Sequence, residues 1–132
     1  MTKKAKQWLT FCSPEDVDIL VDKAPLDYGY LIVLEYKNGE ILLASSRNPS
    51  RYLSTHMSRE KSVGGALPTR VGISPQLLRY EASKRSLQKR LFDYRKEGES
   101  RFAVPEEILE NALDSVFSLA TGNKNRRKED RQ

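Results

Sequence analysis

The pattern of apolar and polar positions is most regular between residues 29 and 56. Two apolar runs, at residues 30–34 and 41–44, are separated by a polar stretch that contains Asn38-Gly39. A tight hairpin turn needs backbone conformations with positive φ, which Asn and Gly tolerate well. The Asn-Gly pair between two apolar runs therefore predicts a β-hairpin.

A helix is predicted directly after the hairpin. Asn48-Pro49 supplies a polar capping residue followed by a proline at the first helical position, which is a typical helix start. Leu53 and Met57 are four residues apart, so they lie on one side of this helix and face the core. Tyr52 and His56 are also four apart and share a neighbouring side.

The rest of the chain predicts five further elements. Proline directly after a serine marks a helix start, and a stretch with several glycines marks a loop. The elements are a helix from Ser13-Pro14 that ends before Pro25, a flexible loop over residues 62–74, a long helix from Ser74-Pro75 to Tyr94, a third strand at residues 101–104, and a last helix from Pro105 that stops at Gly122.

The hairpin and its helix resemble the GIY-YIG nuclease domain. The family pattern has G-I-Y, then about ten residues to Y-I-G, then x-x-x-N-P-x-x-R-x-x-x-H. Without a gap, its first motif falls on Gly29-Tyr30-Leu31 and its second on Leu42-Leu43-Ala44. Asn38-Gly39 falls at the hairpin turn, Asn48-Pro49 at the helix start and His56 at the histidine. The match covers roughly the first half of the chain.

The chain departs from the family at its catalytic positions. Leu31 and Leu42 stand where the family has tyrosines, and Tyr52 stands where it has an arginine. The family also holds a metal ion with a glutamate from a later helix, a position that Glu110 fills in the sequence Glu-x-x-Leu, with Glu81 as a rival. Because the two tyrosines and the arginine are replaced, we expect no catalytic residue, no bound metal ion and no cofactor.

An active, divergent endonuclease is the alternative. It would use Tyr30, Arg51, Tyr52 and His56 for catalysis and Glu110 to hold Mg²⁺. This requires a register shift of one residue, because Tyr30 lies next to the family's tyrosine position rather than on it. Such a shift turns every side chain of a strand to the other face of the sheet.

The resemblance implies an α/β (α+β) fold, with a small antiparallel β-sheet of about three strands flanked by helices. The length of 132 residues suits one domain. We assign residues 1–8 to a basic N-terminal arm, 9–122 to a single GIY-YIG-like domain and 123–132 to a basic disordered tail.

Positive charge is concentrated in the middle of the chain. Residues 47–96 carry twelve basic and three acidic side chains, a net charge of +9, whereas the whole chain carries +5. Such a concentration is typical of proteins that neutralise DNA phosphates and release their counterions. The candidate DNA contacts are Arg47, Arg51, Tyr52, His56, Arg59, Lys61, Arg70, Arg79, Arg85, Lys89, Arg90 and Lys96.

The long predicted helix is amphipathic. An apolar stripe at helical spacing includes Leu77, Leu87 and Leu91, and the opposite side is almost wholly basic. This pattern favours an element that lies along phosphates or in a groove of DNA. A helix at a membrane surface shows a similar pattern, but it usually exposes Trp, Phe or Leu at the boundary.

Composition narrows the class of protein further. No apolar run approaches the length of a membrane span, and a lone Cys12 suits the reducing cytoplasm. We therefore interpret the chain as a cytoplasmic protein that binds double-stranded DNA without cutting it. It would be a transcriptional repressor or site-blocking factor of the kind found in phages and mobile elements. A protein-interaction adaptor is a further alternative, with a homodimer through the helix at residues 105–120.

Overall fold

One five-stranded antiparallel sheet separates helices on its two faces. The computed structural model describes residues 8–96 and 101–130, with side chains for 8–17, 19, 21–96 and 101–118. The prediction of an antiparallel sheet flanked by helices is confirmed, but the expected three strands are too few. The elements are β1 (Thr10–Cys12), α1 (Val17–Leu20), β2 (Tyr30–Glu35), β3 (Ile41–Ser46), α2 (Pro49–Ser62), β4 (Arg70–Ile73), α3 (Tyr80–Arg90), β5 (Arg101–Phe102) and α4 (Glu106–Asp130), and the strand order is β1-β4-β2-β3-β5.

The predicted hairpin is confirmed as β2 and β3. Gly39 in the turn has φ of +88°, and the backbone N–H of Glu40 donates to the Asn38 side chain at 3.1 Å. Asn48 also caps α2 as predicted, because its side-chain oxygen accepts from the backbone N–H of Arg51 at 3.2 Å. Local sequence therefore determines both the turn and the helix start.

Strand β4 lies within the segment that the sequence predicts to be a flexible loop. It pairs with β2 on one side, where Ile32 is opposite Ile73, and with β1 on the other. Gly72 has a packing role here, because a Cβ atom at this position would lie 2.7 Å from the Phe11 ring. A glycine at this position therefore allows the Phe11 ring to pack directly against the strand.

The first predicted helix is much shorter than expected. A 3-10 turn at Pro14–Asp16 leads into α1, which ends at Leu20 rather than shortly before Pro25. The backbone of Val21 is already extended, and Ala24 then donates its N–H to the carbonyl of Arg47 at 2.7 Å. This contact ties the segment to the start of α2.

Successive side chains of each strand point to opposite faces of the sheet, so the interior is divided into two cores. The first core lies between the sheet and helices α3 and α4, and the second lies between the sheet and α2. The first includes Leu31, Val33, Leu43, Leu87, Leu91, Leu113 and Phe117, and the second includes Tyr30, Ile32, Leu34, Ala44, Leu53, Val71 and Ile73. Helices α2 and α3 therefore lie on opposite faces of the sheet.

Helix α3 starts later than the sequence predicts. The backbone N–H and C=O of Leu77 both bond to Gly29, at 2.8 and 3.0 Å, so the segment before α3 is held against the start of β2. The helix begins at Tyr80, whose ring lies so close to Gly29 that a Cβ there would be 2.6 Å away. Beyond α3, Phe92–Tyr94 forms a 3-10 turn instead of continuing the helix.

The end of the chain differs from the prediction in two places. Strand β5 has two residues and pairs with Ile41 and Leu42 at the edge of the sheet. Helix α4 runs through Gly122, the predicted stop, and its backbone continues into the tail predicted to be disordered. Of the predicted basic arm, only Trp8 lies within the described residues. None of the helices in the described ranges is long and apolar enough to cross a membrane.

Candidate nucleic-acid interface

The sheet separates seven exposed basic residues among the predicted DNA contacts into two groups. They form one continuous stretch in the sequence, but α2 packs on the second core and α3 on the first. The two groups are therefore two surfaces rather than one. The α2 group consists of Arg51, Arg59 and Lys61, and the α3 group consists of Arg79, Arg85, Lys89 and Arg90.

Two other predicted DNA contacts bond within the protein. The Arg47 guanidinium donates from Nη2 to the carbonyl of Ala24 at 3.2 Å. The Arg70 guanidinium makes a two-pronged contact with the Glu35 carboxylate at 2.8 and 3.1 Å and lies 4.1 Å from the centre of the Phe11 ring. These contacts give both arginines a structural role, because each joins segments that are distant in the chain.

Lys96 belongs to an ionic cluster around Glu40. Its ammonium group donates to the Glu40 carboxylate, and the Arg101 guanidinium lies 3.6 Å from the other carboxylate oxygen. The hydrogen bond from Lys96, together with those from Asn38 and Arg101, holds the pKa of Glu40 below its ordinary value. The cluster therefore joins the segment after α3 to the hairpin turn.

Tyr52 and His56, which the sequence places on one side of α2, form an aromatic cluster with Tyr36. The Tyr52 and His56 rings stack with centroids 5.9 Å apart, and the Tyr36 hydroxyl shares a hydrogen bond of 3.2 Å with Nε2 of His56. The Arg101 guanidinium lies 3.9 Å from the centre of the Tyr36 ring. Tyr36 and Arg101 are functional candidates that the sequence did not reveal, although Tyr36 continues the alternation of β2.

Burial changes the acid–base properties of this aromatic cluster. It lowers the pKa of the His56 imidazole and raises the pKa of the Tyr36 and Tyr52 hydroxyls, because each charged form loses hydration. At neutral pH the three rings are therefore uncharged. They can donate or accept hydrogen bonds at the α2 surface, but they add no positive charge for a phosphate.

The positions that match the family's two tyrosines lie on opposite faces of the sheet. Leu31 is fully buried in the first core, whereas Leu42 packs against the second. Tyr30 shares the face of Leu42, but its hydroxyl donates to the Asp22 carbonyl at 3.1 Å and accepts from Gln76 at 3.2 Å. The ungapped match therefore does not bring these two positions to one site.

The residues of the divergent-nuclease alternative are not gathered either. Tyr52, His56 and the exposed Arg51 are on α2, whereas Glu110 is on α4, which packs against the opposite core. Glu110 is buried, and among the described atoms its Oε2 has no hydrogen-bond partner. Its rival, Glu81, is exposed on α3. Within the described part of the chain, no group of three or more His, Cys, Asp or Glu side chains is arranged to hold a metal ion.

A basic ridge on α3 leads to a small pocket. Ser83 and Leu87 are buried on one side of the helix, so the exposed Arg85 and Lys89, four residues apart, form a row on the other. Phe92 follows this row and is 63% exposed. We call Arg85, Lys89 and Phe92 the α3 ridge. The pocket beside it, the end pocket, has a volume of about 320 Å³ and is lined by Gln88, Lys89, Phe92, Arg95 and Phe102.

Comparison with known proteins supplies no relative. No family model, no curated protein and no solved structure matches the chain. The resemblance to the GIY-YIG domain therefore rests on the motifs in the sequence.

Proposed function

We propose that the protein binds double-stranded DNA through the α3 ridge and the basic residues around it, and that it does so without cutting the DNA. The observation that carries this proposal is the pair of exposed cations, Arg85 and Lys89, on a helix whose opposite side is buried in the core. A helix anchored in this way presents its charges on a rigid surface. Rigid presentation reduces the ordering cost of binding.

The spacing of the ridge suits contact with one DNA strand. Residues four apart on a helix are separated by about 6 Å along its axis. Successive phosphates of one strand are separated by about 3.4 Å along the DNA axis. Arg85 and Lys89 can therefore contact nearby phosphates of the same strand, and Arg79 and Arg90 extend the basic surface towards the two ends of α3.

The α2 surface is a weaker candidate for the main contact. Tyr52 and His56 are already engaged with each other, and His56 also bonds to Tyr36. Burial lowers the pKa of His56, so this ring stays neutral at neutral pH. Arg51, Arg59 and Lys61 would attract DNA from a distance through their charge.

Binding without cleavage is supported by the same arrangement. The residues that an active nuclease would need are on opposite sides of the sheet. A protein that occupies DNA without cutting it can repress transcription or block another factor, which is the role we propose. The adaptor alternative has less support, because the apolar face of α4 that would bind a second copy is covered by the chain's own first core.

The test is binding of a fluorescein-labelled duplex of about 20 base pairs, measured by fluorescence anisotropy over a series of salt concentrations. We expect log affinity to fall linearly with log salt, by about 0.9 for each phosphate contacted. Absence of binding at about 50 mM salt, or an affinity that does not change with salt, would contradict the proposal.

A further inference from the structure

The end pocket differs from the rest of the α3 ridge in its chemistry. It combines an exposed aromatic ring, Phe92, with a buried one, Phe102, and the cationic residues Lys89 and Arg95 also line it. Its volume of about 320 Å³ is at the small end of the range for ligand sites, which is about 300 to 1,000 Å³. The pocket therefore suits a small planar group that carries a negative charge at its edge.

We propose that the end pocket binds one unpaired base of a DNA strand, with the base against Phe92 and its phosphate at Lys89. This inference rests on the proposed function and names the part of the DNA that the site selects. A base stacks on an aromatic side chain through its flat face, whatever its sequence identity. Phe92 is 63% exposed, so its ring is accessible for such stacking.

Lys89 connects the two parts of the surface. It belongs to the α3 ridge together with Arg85, and it also lines the end pocket. A strand whose phosphates follow the ridge consequently passes the mouth of the pocket. A frayed end, an overhang or a bulge places a free base at that point, whereas a fully paired duplex keeps its bases stacked.

The other lining residues fit the same ligand. Phe102 is held at the edge of the sheet by its pairing with Ile41, so it provides a fixed apolar wall. Gln88 is half-buried in the last turns of α3, and its side-chain amide can both donate and accept hydrogen bonds. An amide of this kind can bond to the edge of a base without requiring one particular base.

An apolar side chain of a partner protein is the competing occupant. It would use Phe92 and Phe102 but would gain nothing from the positive charge of Lys89. A nucleotide uses both features, so the charge of Lys89 favours the nucleotide. Asp93, the neighbour of Phe92 in the chain, is an exposed acid, so the phosphate is expected at Lys89 and not at Asp93.

The experiment compares two labelled duplexes with the same paired sequence, one blunt and one with a single extra nucleotide as an overhang at one 3′ end. We expect the wild-type protein to bind the overhang duplex about tenfold more tightly, within the range for stacking one base on an aromatic ring. Phe92→Ala should remove this preference, so that the variant binds the overhang duplex no more tightly than the blunt one. Phe92→Tyr should retain it.

Leu78→Ala is the matched control, since Leu78 is also a large exposed apolar residue, at 58%, but does not line the pocket. This variant should keep the preference. A second measurement uses dAMP alone, followed by the amide NMR signals of Gln88, Lys89 and Phe92, with inorganic phosphate as the reference. Shifts with dAMP that phosphate does not produce are expected.

The outcomes separate the two proposals. Equal binding of both duplexes, a preference that survives Phe92→Ala, or dAMP shifts no larger than those with phosphate would overturn the base pocket while leaving duplex binding intact. If neither duplex binds, the proposed function fails as well. If an apolar peptide, but not dAMP, shifts the same amides, the occupant is a protein side chain and the inference is wrong.

Discussion

Removal of positive charge from one face of the sheet should affect DNA binding far more than removal from the other. We compare two double variants. One carries Arg85→Ala together with Lys89→Ala, and the other carries Arg59→Ala together with Lys61→Ala. All four side chains are exposed, and each double variant lowers the net charge of the chain from +5 to +3. The variants differ mainly in which side of the sheet loses the charge.

The expected magnitude comes from the number of contacts removed. Each phosphate contact contributes about 0.9 to the slope of log affinity against log salt. Loss of the two contacts at Arg85 and Lys89 should therefore reduce the slope by about 1.8, and at 0.1 M salt it should weaken binding by about 60-fold. The α2 variant should lose only the long-range attraction of two charges, which we expect to be a few-fold at most.

Both double variants should remain folded, so any loss of DNA binding can be attributed to the removed charges. Exposed substitutions usually change the free energy of unfolding by less than about 0.5 kcal/mol. Lys89, Arg59 and Lys61 lie in the last turns of their helices, where a cation stabilises the helix by about 0.3 to 1 kcal/mol. The two double variants should therefore lose similar amounts of stability. Urea unfolding should be measured beside the anisotropy titrations.

The outcome that refutes this reasoning is simple to recognise. Equal loss of affinity and slope in the two double variants would mean that DNA responds to net charge alone. A larger loss in the Arg59→Ala and Lys61→Ala protein would place the interface on α2, beside Tyr52 and His56.

Three further predictions follow from other parts of the structure. The purified protein should not nick bound DNA when Mg²⁺ or Mn²⁺ is added, and cleavage that disappears in Glu110→Ala would establish the divergent nuclease instead. The pKa of His56, the single histidine, should lie below its ordinary 6.5 because of burial, so its contribution to stability is present above pH 6.5 and declines as the pH falls further. An NMR titration of the ring with a midpoint at or above 6.5 would contradict this, and His56→Gln should show a smaller loss of stability on acidification. Gly29→Ala should lower the free energy of unfolding, measured with urea, by about 1 to 3 kcal/mol, because the new Cβ would lie 2.6 Å from the Tyr80 ring. If adding Tyr80→Ala to the same protein does not relieve this loss, the contact with the ring is not its cause.

The parts of the fold that the sequence predicts correctly depend on neighbouring residues. Asn38-Gly39 favours the hairpin turn by its own backbone preferences, and Asn48-Pro49 caps the helix that follows directly. No distant contact is needed to explain either feature. Their positions along the chain were therefore predictable to within a few residues.

The errors occur where distant contacts determine the structure. The four residues of β4 carry too short a pattern to be recognised, and they become a strand because β1 and β2 pair with them on both sides. In the same way, Gly29 bonds to Leu77 and delays the start of α3. Gly29 and Leu77 are more than forty residues apart in the chain. A local sequence pattern therefore cannot predict their contact.

The candidate site, like the fold, could be predicted only in part from the sequence. The concentration of basic residues is visible in the sequence, but their separation by the sheet depends on which core each helix joins. The end pocket requires Phe102 of β5 beside Lys89 and Phe92, and the aromatic cluster requires Arg101 beside Tyr36. The sequence could have suggested only Phe92, as an apolar residue that follows a basic helix.

The most direct test of the account is to map the DNA-binding surface on the folded protein. Amide signals of ¹⁵N-labelled protein should be followed while a blunt duplex is added at low salt. We expect the shifts to concentrate in α3 and the Phe92–Tyr94 turn and to leave α2 nearly unchanged. Shifts concentrated in α2, or none at saturating DNA, would contradict the claim that the α3 ridge binds DNA.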